Sequence, residues 1–144
     1  MGVRTDDENR AGHDVRLHTS HAMAGDAGCI AEARHLATDF LRQADAVHGV
    51  PVSSRAVDLT QLVVSELVTN ALKYAPGPVL MDLRISDGTV EVTVWDSDPT
   101  VPAAREADPG RIGQHGLEIV MRITEHLSVQ RESVGKRVTA RLLL

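Results

Sequence analysis

The chain has 144 residues and 42% apolar content, which suits one domain with one ordinary core rather than two. Its 20 acidic residues outnumber 15 basic ones, and this net charge of −5 opposes broad attraction to nucleic-acid phosphates, while Phe40, Tyr74 and Trp95 are too few aromatics for a base-stacking platform. Cys29 is the single cysteine, so an intramolecular disulfide is excluded; residues 1–16 lack the apolar run of a secretory signal and no stretch reaches membrane-spanning length, so a cytoplasmic protein without membrane or direct nucleic-acid partners is expected.

Residues 1–13 are almost devoid of apolar side chains and are expected to form a disordered tail, leaving 14–144 as the folded domain. Val15 and Leu17 alternate with polar neighbours and predict a short first strand. From about Asp26 to Ala46, Ile30, Ala33, Ala37, Phe40 and Leu41 recur at helical spacing, and Gly49 and Pro51 open a loop after them. Ser53 or Ser54 can cap a second helix that runs to about Tyr74, where Pro76, Gly77 and Pro78 stop it.

The period then changes to two. Val79, Met81, Leu83 and Ile85 alternate with polar or outward positions, as do Val90, Val92 and Val94, and Asp87-Gly88 between them supplies a hairpin turn. The stretch from Ser97 to Ile112 holds Pro99, Pro102, Pro109 and Gly110 with little periodicity and reads as a long functional loop. A third helix is expected from about Gly116, with Leu117, Val120, Ile123 and Leu127 on one face. Leu127 to Ser133 and Arg137 to Leu144 would then close the chain as a hairpin around Gly135. This order predicts an α/β chain folded as an α+β two-layer sandwich, with a mixed, mostly antiparallel sheet and helices on one face.

Three clusters carry chemistry. Glu66, Asn70 and Lys73 stand at i, i+4 and i+7 of the second helix; at about 100° per residue they share a ~60° sector. A carboxylate, an amide and an ammonium thus form one polar stripe among Val63, Val64, Leu67, Val68, Ala71 and Leu72. The bland alternative is a solvated edge with Glu–Lys pairing. Asp96 shares the parity of Val90, Val92 and Val94, so its carboxylate points where their methyls point and needs a donor, which a purine's exocyclic amine could supply. Alternatively, the strand ends at Trp95, and Asp96 caps a turn in solvent. Gly113-Gln114-His115-Gly116-Leu117 precedes the third helix, where free N–H groups and small residues suit a phosphate, or simply end a loop.

The order of these clusters resembles the histidine-kinase-like ATPase superfamily. Glu66-Leu67-Val68-Thr69-Asn70-Ala71 is similar to its N-box, Asp96 falls at its adenine-binding Asp, and Gly113 to Leu117 is similar to the glycine box that ends its ATP lid. The similarity spans about residues 15–144, and the compact layout without a phosphoacceptor helix pair looks most like the anti-sigma-factor serine/threonine kinase branch. The resemblance implies ATP and Mg²⁺ as cofactors. Asn70 would hold the metal, and Lys73 would add charge at the phosphates. Asp96 would take adenine, Gly113, His115, Gly116 and Leu117 would line the lid, and Glu66 would be the catalytic base. It also implies an anti-anti-sigma protein as substrate, a sigma factor as a further partner, and a homodimer. The alternative is a module that keeps the fold and only sequesters a partner, or a histidine-kinase catalytic domain acting in trans.

The chain departs from the family pattern in several places. Asp98 and Thr100 stand where glycines are usual, Gln114 and Glu118 occupy lid positions often held by Gly, and Gly135-Lys136 replaces a common Gly-Thr, so no adenine-contacting Thr is carried over and Thr139 is only a weak candidate for that contact. These departures bear on ATP affinity and turnover rather than on fold. The seven histidines are scattered singly, without the company of a metal site, and Cys29 reads as a small buried hydrophobe.

Overall fold

The computed structural model describes residues 17–74, 77–97, 112–132 and 135–144. The expected tail, Val15, and the loop from Asp98 to Arg111 lie outside the described residues. The elements run β1 (Leu17–Met23), α1 (Cys29–Ala46), α2 (Ser54–Tyr74), β2 (Val79–Ser86), β3 (Thr89–Asp96), α3 (Ile112–Ile123), β4 (His126–Arg131) and β5 (Lys136–Leu143).

The strands form one sheet in the order β1-β2-β3-β5-β4. Every pairing among the described residues is antiparallel, in keeping with the mostly antiparallel sheet expected. β1 is longer than its sequence signal because its inward positions include Thr19 and His21 rather than aliphatics; pairing from Leu17↔Ile85 to Met23↔Val79 makes it a strand. The β2–β3 turn has positive φ at both Asp87 (46°) and Gly88 (77°), the backbone a two-residue type I′ hairpin requires.

Ser53 is the serine that starts α2: its Oγ accepts the Ala56 N–H at 3.0 Å. α3 begins at Ile112, four positions before the expected start, so Gly113 to Gly116 belong to its first turns rather than preceding it. Its far end also differs from expectation. The Thr124 hydroxyl donates back to the Val120 carbonyl at 2.7 Å and the Glu125 N–H turns to the Arg141 carbonyl at 2.7 Å, so the chain leaves the helix and Leu127 lies in β4.

The core lies between the layers. Met81, Leu83, Ile85, Val90, Val92, Val94, Val138, Ala140 and Leu142 face inward from the sheet and are buried against Val63, Val64, Leu67, Val68 and Ala71 of α2. α1 covers the other flank of α2 with Ala33, Ala37, Leu41 and Ala44, small residues that let the helices approach, and Gln61 Nε2 donates to Thr38 Oγ1 across them at 2.7 Å. Cys29 is buried beside Met23, its Sγ 3.7 Å from Sδ, and burial pushes its thiol pKa up. Trp95, as its parity predicts, faces away from the helices and is half-buried. Among the described residues no helix is long and apolar enough to cross a membrane.

Chain direction brings one end of each layer together. A cleft of about 380 Å³ is lined by Ser53, Ala56, Ile123, Thr124, Leu142 and Leu144, so the start of α2, the end of α3 and the end of β5 share one pole. The last turn of α2 is at the opposite pole, four residues before β2, whose start pairs through Leu80↔Trp95 with the end of β3. α3 has 12 residues, about 18 Å of helix, and its N-terminus points toward that second pole.

Candidate functional site

Asn70, Lys73, Asp96 and the first turn of α3 converge on this second pole, by the topology alone. Asn70 is 3% exposed, and its Oδ1 has no hydrogen-bond partner among the described residues. Glu66 and Lys73 flank it one turn away on either side, both half-buried, and no ion pair joins them among the described residues. The polar stripe is therefore not the solvated, salt-bridged edge of the bland reading. A buried amide oxygen without a partner costs about 1–3 kcal/mol, and the fold retains it at the second pole.

Asp96 is inside the sheet. β3 runs through it, with Asp96↔Lys136 as the last paired position, so the reading in which the strand stops at Trp95 and Asp96 caps a turn is overturned. The donor that its carboxylate needs comes from the chain itself: Lys136 Nζ donates to Asp96 Oδ2 at 2.8 Å, with both side chains essentially removed from water. Lys136 is fully buried. Gly135, at φ +89°, fixes this arrangement, since a Cβ there would sit 1.7 Å from the Asp96 carbonyl oxygen. The approach of β5 to the end of β3 thus requires glycine at that position.

Of the remaining candidates, Thr139 is on the sheet's outer face, 3.1 Å from Thr93 Oγ1, and so is not beside Asp96. Leu117 is buried in the core. Gly113, His115 and Gly116 are in the first turns of α3, but their side-chain surroundings lie outside the described residues, as does Asp98. Unpaired N–H groups belong to the first turn of any helix, so the earlier start of α3 keeps the Gly113–His115 N–H groups available by backbone geometry.

The sequence reading missed Lys136, taking the last strand from Arg137. The signal was present: Lys136 shares the parity of Val138, Ala140 and Leu142, all inward. It also missed the cluster at Asp82, on the outer face, where Ser20 Oγ, His18 Nε2 and Arg84 Nε reach the carboxylate at 2.5, 2.5 and 2.9 Å. Burial there raises the Asp82 pKa, but the three hydrogen bonds outweigh it and hold the carboxyl below its ordinary value. A cleft of about 470 Å³ lies on the same outer face between Arg84, Glu91, Glu125 and Arg141. It is the roomier hollow and has a buried polar atom without a hydrogen-bond partner of its own, Arg141 Nε, but that atom is a donor 3.9 Å from Glu125 Oε1 rather than an acceptor, so the candidate site is taken at the second pole, beside the Asn70 oxygen.

No curated protein matches the chain. Among solved structures, the histidine kinase domain of the Erythrobacter litoralis EL346 blue-light activated histidine kinase is similar at 27% identity and a TM-score of 0.46, over 61% of this chain and 44% of that one. The chain thus spans less than half of that domain's length. The model of the histidine kinase-like ATPase domain matches residues 26–142, from just before α1 to the end of β5, and with it the helices and sheet that carry Glu66, Asn70 and Asp96. On that match over most of its length, the chain belongs to the histidine kinase-like ATPase domain family.

Proposed function

We propose that this chain is an ATP- and Mg²⁺-binding serine/threonine protein kinase of the anti-sigma type, which phosphorylates an anti-anti-sigma protein, also binds a sigma factor, and acts as a homodimer. The observation that carries the nucleotide reading is the buried, unpartnered Oδ1 of Asn70 one helical turn from the half-buried Glu66. An amide oxygen is the hard, neutral donor that Mg²⁺ takes alongside phosphate oxygens and water, so the residues present fit the ion. When bound, Mg²⁺ neutralises phosphate charge during phosphoryl transfer.

The chain's own residues do the rest. Asn70 fixes the phosphate end of the nucleotide, and Lys73 adds a cation in the last turn of α2. The Gly113, His115 and Gly116 backbone at the start of α3 offers N–H groups to the phosphates, with Leu117 anchoring that helix in the core. Asp96 is the base-recognising carboxylate of the pocket, already holding the Lys136 ammonium. Glu66 accepts the proton of the partner's hydroxyl as its oxygen bonds to the γ-phosphorus, and ADP departs with the bond that breaks. The cytoplasm is the compartment this role requires.

A second reading is favoured by one observation. Asp96 is already engaged by Lys136, and together with Asp98, Thr100, Gln114 and Glu118 at usual glycine positions this supports a module that sequesters its partner without turnover. Glu66→Gln separates the two. It keeps size and hydrogen bonding, so ATP affinity should stay within a few-fold while phosphoryl transfer to a candidate anti-anti-sigma protein falls by roughly 10². Labelled ATP and phosphoserine detection read both quantities. Partner capture without transfer by wild type, unchanged in Glu66→Gln, overturns the kinase reading in favour of the sequestering module.

A further inference from the structure

The buried Lys136–Asp96 pair joins the start of β5 to the end of β3, the strand that carries the proposed base-reading carboxylate. The chain has two lysines, Lys73 and Lys136, and both sit at the second pole. Lys73 is half-buried on α2, as a phosphate-facing cation should be. Lys136 is different: it is fully buried, inside the sheet, and donates to Asp96 Oδ2 at 2.8 Å.

An adenine amine and a lysine ammonium are both donors, and they compete for the same carboxylate: a carboxylate can accept more than one donor, but this one is 1% exposed with Nζ on Oδ2, so the base meets no open oxygen beside it. The ammonium has the advantage. It is charged, so its bond to the carboxylate is the stronger kind, and it is intramolecular, so it is present without binding entropy being lost. The competition cannot be relieved by a slip of the strands, because Asp96↔Lys136 is a paired position locked by the contact of Gly135 on the Asp96 carbonyl. Displacing Nζ would also strand a charge in the core, which costs more than a neutral amine's hydrogen bond returns.

We infer that Lys136 is the specificity-determining residue of the nucleotide pocket: it fills the donor position at Asp96 that adenine would otherwise take, so that this domain holds ATP weakly and distinguishes it little from GTP. This inference rests on the reading of Asp96 as the base-recognising carboxylate. It makes Lys136 a self-supplied stand-in for the base, with phosphate and Mg²⁺ contacts left to carry most of the nucleotide's affinity. A small hydroxyl residue in place of the lysine should return the carboxylate to the base.

The test is calorimetric titration of Mg·ATP and Mg·GTP into the full chain and into Lys136→Thr, whose folding is checked by thermal denaturation. In wild type the two affinities should lie within about threefold of each other. In Lys136→Thr the ATP affinity should rise by about tenfold or more, the scale of one hydrogen bond to a charged group, with GTP little changed. A wild-type preference for ATP above about tenfold overturns the inference without need of a variant, and leaves the nucleotide reading intact. Equal ATP affinity in wild type and a folded Lys136→Thr does the same. If neither protein binds either nucleotide while both are folded, the inference and the nucleotide reading fall together.

Discussion

Breaking the Lys136–Asp96 pair from one side should damage the fold far more than removing the whole pair. Both side chains are almost completely excluded from water, at 0% and 1% exposure, and they are joined by a 2.8 Å hydrogen bond. Asp96→Leu leaves an ammonium buried without its carboxylate, and Lys136→Met leaves the carboxylate without its ammonium. Each single change is expected to cost about 3–5 kcal/mol, a large share of the 5–15 kcal/mol or so that holds a domain together. For a chain of this size that corresponds to a fall in Tm of roughly 10–15 °C. The double change Asp96→Leu/Lys136→Met replaces two charges with apolar groups of comparable reach and should recover most of the loss, giving a coupling of at least about 2 kcal/mol. Urea denaturation of the four proteins measures it. Single changes that each cost under about 1 kcal/mol, the scale of an exposed ion pair, would refute the reasoning that this pair is buried and mutually dependent.

Two other features carry expectations of the same kind. Cys29 is buried with its thiol pKa pushed up by desolvation, so in the native protein it should react with an aromatic disulfide reagent at least about tenfold more slowly than a free thiol, and should react fully in denaturant; fast native labelling would contradict the burial. Asp82 has its pKa held below the ordinary value by Ser20, His18 and Arg84 against the opposing effect of burial. A carboxyl depressed in the folded state contributes stability above its unfolded pKa of about 3.9, and that contribution is lost as pH falls through the lower folded value. Asp82→Asn should therefore cost about 1–3 kcal/mol near neutral pH and progressively less below about pH 4, as followed by denaturation curves at several pH values. A constant difference down to the acid limit would mean that the hydrogen bonds do not depend on the charge.

Much of this fold was legible because its strongest signals are periodic. The alternation of Val79 to Ile85 and of Val90 to Val94 named both central strands and their turn, and it placed Asp96 and Trp95 on opposite faces. The helical stripe named α2 to its last residue. What resisted reading lacks apolar periodicity. β1 is an edge strand whose inner face carries Thr19 and His21, and partnership with β2 rather than its own composition makes it a strand. The early start of α3 falls in a segment where glycines argue against helix, and packing of Leu117 and Val120 extends it over them.

The site divides along the same line. The polar stripe of α2 could be read because spacing alone defines it, and the burial of Asn70 then argues against a solvated edge. Lys136 could not be read from residue type, since a lysine in a strand is ordinarily placed in solvent. Only parity with Val138, Ala140 and Leu142, combined with the position opposite Asp96, marks it as inward. Two long-range partners had to be known at once.

The central claim is that a nucleotide's phosphates and Mg²⁺ are held at the buried oxygen of Asn70. Titration of ATP into wild type and Asn70→Ala, each with Mg²⁺ and with chelator, tests it most directly. Because Oδ1 has no protein partner among the described residues, its removal should leave the fold largely intact. Wild type should bind ATP more tightly with Mg²⁺ than without, and Asn70→Ala should lose that Mg²⁺-dependent gain, about tenfold or more in affinity. Equal Mg²⁺-dependent affinity in a folded Asn70→Ala would contradict the account and move the nucleotide away from α2.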